Sequence, residues 1–258
     1  KITDLSKSFS RAGKNEFFAV DHVSFAVMPG EILGIVGESG SGKSTIAKLI
    51  TRQIDPTSGR IELAGQDITR LKGRSLIPVY VKIQMVFQAP TGSFDPRRTL
   101  GDGICESLRN KGVPKAEREA KARGLLEQCG LPGDFLERYP HQVSGGQCQR
   151  AAIARALMCD PQILIFDEAT SALDVTVQKQ IIDLLQQLQE EKKLTYLFIC
   201  HNLALVRQLR LDADSICIRA EQYAAAEAAA EKLCAMPKGS RRRDAITAKL
   251  ELEQNPAA

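Results

Sequence analysis

Glu31-Ile32-Leu33-Gly34-Ile35-Val36-Gly37-Glu38-Ser39-Gly40-Ser41-Gly42-Lys43-Ser44-Thr45 sets an apolar run against a glycine-rich loop. Residues 31–36 read as a strand buried on both faces, and residues 45–53 continue as a helix. The loop fits G-x-x-x-x-G-K-[ST], with Gly37, Gly42, Lys43 and Ser44 in place and Glu38, Ser39, Gly40 and Ser41 between them. Glycines let backbone N–H groups fold around phosphates, and a helix starting near Lys43 adds its positive dipole end. Lys43 is expected to neutralise β- and γ-phosphate oxygens, and the Ser44 hydroxyl to reach Mg²⁺. Thr45 completes this set of nucleotide contacts. A strand before and a helix after distinguish such a loop from an ordinary glycine turn.

Outward from this stretch, residues 23–27 and 61–63 alternate like strands of an antiparallel sheet, and Met28-Pro29-Gly30 is a turn. Residues 83–87 form another apolar strand, ending at Gln88. Residues 89–98 bear Pro and Gly and read as loop. Residues 100–136 read as helical, with Pro114 at a helix start and Gly130 at a stop. Residues 162–167 are again a buried strand. Residues 175–191 form an amphipathic helix through Val177, Ile181, Leu184, Leu185 and Leu188. Residues 194–200 are the last clear core strand. Strands alternating with helices imply a mostly parallel sheet.

The strand 163–167 ends in Asp167, followed directly by Glu168. Asp167 is expected to hold a metal through water. Glu168 lies where a base would orient a water for attack on a γ-phosphate. The competing reading of Glu168 is an acid at a helix start, favourable to the dipole.

Composition excludes more than it assigns. The 258 residues are 43% hydrophobic and 26% charged, an ordinary globular balance. Net charge is +4, and no Lys/Arg stripe alternates with aromatics, so no nucleic-acid partner is expected. No apolar stretch approaches the ~18 residues of a membrane span, and no signal peptide is read. The seven cysteines are scattered without CxxC pairs, which reads as reduced thiols rather than a disulfide frame or zinc site.

With Val143-Ser144-Gly145-Gly146-Gln147 and His201 added, the ordered set resembles the nucleotide-binding subunits of ABC transporters over residues 1–206. The pentapeptide is similar to that family's signature motif, which normally begins with Leu. Gly145 and Gly146 open a helix to Leu157 whose N–H groups, with the Ser144 hydroxyl and Gln147, face a γ-phosphate. The plainer reading of Ser144 is an N-cap. The resemblance implies ATP and Mg²⁺ as ligands, and a second ABC ATPase subunit, a copy or a paralogue, whose nucleotide this loop completes. It makes Gln88 the Q-loop residue, touching metal and water. Ser171-Ala172-Leu173-Asp174 becomes the D-loop, with Asp174 also a candidate N-cap. His201 becomes the switch histidine at the γ-phosphate, and Phe9 the aromatic that stacks on adenine, although a core role fits Phe9 equally. Thus Glu168, His201, Gln88 and Lys43 are the candidate catalytic residues, and Ser44, Gln88 and Asp167 the metal set. His22 and His141 are read as structural.

Residues 88–99, Gln88-Ala89-Pro90-Thr91-Gly92-Ser93-Phe94-Asp95-Pro96-Arg97-Arg98-Thr99, are similar to the Q-loop extension of oligopeptide, dipeptide and nickel importers. This implies integral membrane permease subunits as partners, a solute-binding protein acting indirectly, and a peripheral place on the cytoplasmic face of the membrane. Departures are Cys200 and Asn202 beside the histidine, and Cys148 after the signature, at a position expected to face outward. The expected fold is an α/β P-loop core with a mostly parallel sheet, an antiparallel β subdomain and an inserted helical subdomain. Its parts are residues 1–88 (core, first part), 89–158 (helical subdomain), 159–206 (core, second part) and 207–258 (divergent helical tail, Ala-rich at 224–231). Alternative readings are a degenerate subunit that binds ATP structurally and a non-transport ABC ATPase.

Overall fold

The computed structural model describes residues 1–10, 17–37, 40–87, 91–170, 173–200 and 216–218. In chain order the elements are β1 (Ile2–Phe9), β2 (Phe17–Phe25), β3 (Ile32–Val36), α1 (Lys43–Ile50), β4 (Ser58–Leu63), β5 (Gln66–Asp67), α2 (Ile77–Lys82) and β6 (Ile83–Val86). There follow α3 (Leu100–Ile104), α4 (Glu106–Asn110), α5 (Lys115–Gln128), α6 (Gly145–Leu157), β7 (Ile163–Asp167), α7 (Val175–Lys192), β8 (Thr195–Cys200) and β9 (Ile216–Ile218). The chain divides into two compact units, residues 1–79 with 197–258, and residues 80–196.

In the first unit β2-β1-β4-β5 form an antiparallel sheet. Strand β1 was not anticipated. Its alternation is broken by register shifts between Ile2 and Ser8, and Asp4 takes a left-handed backbone at φ 51°. Such bulges scramble the period of two that marks a strand. Gly59 permits the sheet to close there, because a Cβ on it would lie 2.2 Å from the Asp4 carbonyl oxygen. Helix α1 buries Ile46, Ala47, Leu49 and Ile50. Just beyond it Arg52 is 4% exposed. Its guanidinium donates to the Ile68, Ile54 and Leu71 carbonyls and to Asp55 at 2.7 Å, which satisfies a buried charge. Strand β3 pairs in parallel with β9, Gly34 opposite Ile216 and Val36 opposite Ile218. The segment 207–258 was expected to be helical, yet residues 216–218 are a strand: Ile-Cys-Ile is an apolar triplet that a parallel neighbour can bury. The Ala-rich stretch 224–231 lies outside the described residues.

In the second unit β6 and β7 pair in parallel, Ile83 opposite Ile163 and Val86 opposite Phe166. The stretch 100–136, expected as helix, divides into α3, α4, α5 and a 3₁₀ turn over Gly133–Glu137. Gly112-Val113-Pro114 ends α4 and starts α5, since Gly112 has φ 77° and Pro cannot donate within a helix. Helix α6 is mostly buried, and its Ala151, Ala152, Ala154 and Ala156 leave room for neighbours to approach. Helix α7 buries Ile181, Ile182, Leu184, Leu185 and Leu188, the stripe read from the sequence with Ile182 added and Val177 only half-buried. The Tyr196 hydroxyl donates to the Leu185 carbonyl at 3.0 Å, and its ring meets Phe166 edge-on at 5.2 Å. Among the described residues no helix is long and apolar enough to cross a membrane.

Candidate functional site

The glycine-rich loop belongs to the first unit. Gly40 and Gly42 have φ of 84° and 88°, a left-handed conformation that costs Gly little. Gly42 is the N-cap of α1, and no side chain caps that end. A Cβ on Gly37 would stand 2.8 Å from Ser41 Oγ, so any side chain there would have to turn the Ser41 hydroxyl away. Lys43 is 4% exposed, and its ammonium donates to the Gly37 carbonyl at 2.8 Å and approaches Ser41 Oγ at 3.4 Å. The cation is thus held across the mouth of its own loop, beside a helix N-terminus. This donor set of backbone N–H groups, hydroxyls and an ammonium, with no carboxylate among Gly37, Gly40, Ser41, Gly42, Lys43, Ser44 and Thr45, suits phosphate oxygens. Glu38 and Ser39 lie outside the described residues.

The acidic pair belongs to the second unit. Asp167 ends β7 and Glu168 follows it with φ 49°. A non-glycine residue in that region carries strain, and such strain gathers at functional sites. Buried Ala169 and Thr170 follow, the Thr170 carbonyl accepting from the Gln178 side chain at 2.7 Å.

The same unit carries side-chain-capped helix starts at Ser144 and Asp174. Ser144 Oγ accepts from the Gln147 N–H at 3.3 Å, and Gln147 Oε1 accepts from the Ser144 N–H at 2.9 Å, a reciprocal capping box. Asp174 Oδ1 accepts from the Val177 N–H at 3.0 Å. The N-cap readings of Ser144 and Asp174 therefore hold. Cys148, expected to face outward, is fully buried. Since α6 begins at Gly145, position 148 falls on the same face as Ala151, Ala152 and Arg155, which turns into the unit. Burial pushes the Cys148 thiol up to about 11.

Phe9 is 39% exposed, which removes it from the core. It pairs across the sheet with Phe17, the rings 5.9 Å apart and nearly parallel, and the Lys7 ammonium sits 5.2 Å from its centroid. Phe17 and Phe18 are also exposed, so this hairpin presents flat aromatic surface. His22 is held by Asp4 at 2.5 Å, and His141 stacks on Tyr139. Gln88, His201, Asn202, Ser171 and Ala172 lie outside the described residues. The sequence reading passed over Arg155, which packs onto Phe94, and treated Val177 only as an apolar helix position; neither has a local signal, because their partners are distant in the chain.

The family described as "ABC transporter" matches residues 20–171. The chain is 46% identical over 211 residues to the oligopeptide transport ATP-binding protein OppF of Streptococcus mutans serotype c, covering 81% of this chain and 68% of that relative. It is 49% identical over 214 residues to a putative peptide import ATP-binding protein of Brucella abortus, covering 80% and 64%. A putative peptide import ATP-binding protein of Brucella ovis is 46% identical over 191 residues, covering 74% of this chain and 60% of that relative. The chain therefore spans 60% to 68% of the length of these curated relatives. Among solved structures, a dimeric post-hydrolysis state of an ATP-binding cassette bound to ADP and Pi is similar, with TM-score 0.73, 31% identity, and coverage of 80% of this chain and 90% of that one. The expected P-loop cassette fold is thereby met. A match across more than half the chain, joined to relatives at 46% to 49% identity, makes this protein a member of the ABC transporter family.

Proposed function

We propose that this chain binds and hydrolyses ATP for an ABC importer, energising uptake of peptides through membrane permease subunits. The observation that carries the reading is the 46% identity to an oligopeptide transport ATP-binding protein, joined to a family match over residues 20–171 that includes the loop that closes on Lys43. The names of the similar relatives favour peptides over nickel as cargo.

In this reading residues 37–45 cradle the phosphates, and Lys43 exchanges its bond to the Gly37 carbonyl for phosphate oxygens. Phe9 offers a ring face to adenine. Ser44, Gln88 and Asp167 are the side chains for Mg²⁺, which when bound would neutralise phosphate charge. That ion needs only one or two carboxylates beside phosphate oxygens, so a single Asp fits it. Glu168 orients and deprotonates the attacking water, and His201 steadies the γ-phosphate. Positioning and charge neutralisation supply most of the acceleration. Ser144, Gly145, Gly146 and Gln147 face the nucleotide of a second subunit, which makes the active form a pair. The dimeric cassette among the similar structures supports this. The protein then works peripherally on the cytoplasmic face of the membrane, with a solute-binding protein acting indirectly and no nucleic acid involved.

Steady-state hydrolysis of MgATP by the purified full chain, across a dilution series, tests the proposal. The expected outcome is turnover whose rate per subunit rises with protein concentration. Binding without turnover would instead identify a structural ATP clamp. A rate per subunit that ignores dilution would remove the paired site.

A further inference from the structure

Helices α6 and α7 pack on each other within the second unit, and at their N-termini a glycine faces a valine. A Cβ on Gly146 would stand 2.5 Å from Val177 Cγ1, far inside van der Waals contact. Its neighbour Gly145 differs: a Cβ there would meet only Leu173 Cδ2, at an ordinary 3.6 Å. Two adjacent glycines of one motif thus stand under different constraints.

Neither helix can easily yield. Val177 is β-branched and in a helix holds essentially one χ1 rotamer. Its N–H is fixed by the Asp174 cap at 3.0 Å. On α6, Cys148, Ala151 and Ala152 are buried, so the helix has no slack to retreat into. An added methyl at Gly146 would tilt the start of α6, and with it the exposed Ser144 and Gly145.

We propose that Val177 is a positioning residue. Seated against Gly146, it sets the height of the Ser144–Gly145 helix start against the Leu173–Asp174 start of α7, so the two loops keep one relative geometry. The second glycine of the motif is then required for helix approach, and the first is not. The activity readout rests on the ATPase reading above.

The experiment is a compensation cycle in the full chain. Gly146→Ala, Val177→Ala and the double variant are compared for kcat, KM and thermal midpoint, with Gly145→Ala and Gly145→Ala/Val177→Ala alongside. A misplacement near 1 Å costs up to about 10²-fold, so Gly146→Ala is expected to lose about 10- to 100-fold in kcat with KM little changed. Val177→Ala opens a gap at the same seam and should itself lose several-fold in kcat with KM little changed, and the double variant, whose added methyl refills that gap, should recover most of both losses. Any Gly145→Ala defect should not be relieved by Val177→Ala. A folded double variant as slow as Gly146→Ala overturns the proposal. Should Gly146→Ala fail to fold, Val177→Ile crowds the same space with the motif intact; lowered kcat upholds the idea, and wild-type kcat overturns it. Should the wild type hydrolyse no ATP, the functional reading falls by itself. The denaturation midpoints then decide the packing: recovery in the double variant upholds the contact, and no recovery overturns it.

Discussion

The Arg155 guanidinium lies over the Phe94 ring, its central carbon 4.6 Å from the centroid, and donates to the Ser93 carbonyl. One half-buried cation thus ties the turn at Thr91–Ser93 to helix α6, which Ser144 caps. Burial lowers the Arg155 pKa from its ordinary 12.5, but a guanidinium stays charged at neutral pH. Gly103 also abuts Phe94: a Cβ there would lie 2.7 Å from its ring.

Removing that cation should be expensive. A desolvated cation–π contact and a charged hydrogen bond together amount to about 2–4 kcal/mol. Arg155→Met is expected to lose about that much in urea denaturation. Arg138 sits nearer its ring, 4.0 Å from the Phe135 centroid, yet its side chain is 40% exposed. Arg138→Met should cost below about 1 kcal/mol, because water screens the exposed pair. Equal losses would show that proximity, not burial, sets the energy.

Glu168 supports two separate expectations. Glu168→Gln should reduce ATP hydrolysis by about 10²–10⁴ while nucleotide binding persists, because only proton acceptance is lost. Near-normal turnover would remove Glu168 from that role. Independently, its φ of 49° predicts that Glu168→Gly is more stable than Glu168→Ala by about 1 kcal/mol, against the usual order. Thermal denaturation of the pair reads this directly.

Acid should weaken the β4–β5 corner. Hydrogen bonds from Thr69, first its hydroxyl at 2.6 Å and then its N–H, hold Asp67 below its usual 3.8. A carboxylate with a depressed folded pKa stabilises above its unfolded value, and that contribution fades as pH falls through the folded one. Asp67→Asn should therefore flatten the stability profile below about pH 4 and matter less the further the pH falls. Asp67 is solvent-exposed, so added salt should shrink the effect of nearby Arg60.

Thiol chemistry should divide by burial. Burial pushes Cys129 up to about 12 and Cys148 up to about 11, so both are protonated and shielded at pH 8. Among the described cysteines, half-buried Cys159 should label first with an alkylating reagent, by peptide mass mapping. Unfolded thiols ionise near 9.0, so these two sites favour the unfolded chain increasingly as pH climbs above that value. Rapid native labelling of Cys148 would contradict its burial.

The nucleotide loop was legible because its determinants are local. Strand, glycine turn and helix follow within fifteen residues, and the left-handed positions at Gly40 and Gly42 are ones only glycine takes cheaply. The caps at Ser144 and Asp174 were legible for the same reason, since each bond spans three residues. Strand β1 escaped because bulges break its alternation, and β9 because three residues carry too little pattern to declare a strand.

Residue order alone established the chemistry carried by each short motif, for backbone conformation and capping depend on neighbours a few positions away. Which face of a helix turns inward, and what stands opposite it, depends on chain segments brought together only by folding. That is why Cys148 is buried rather than exposed, why Arg155 meets Phe94, and why Gly146 has no room for a methyl group while Gly145 does.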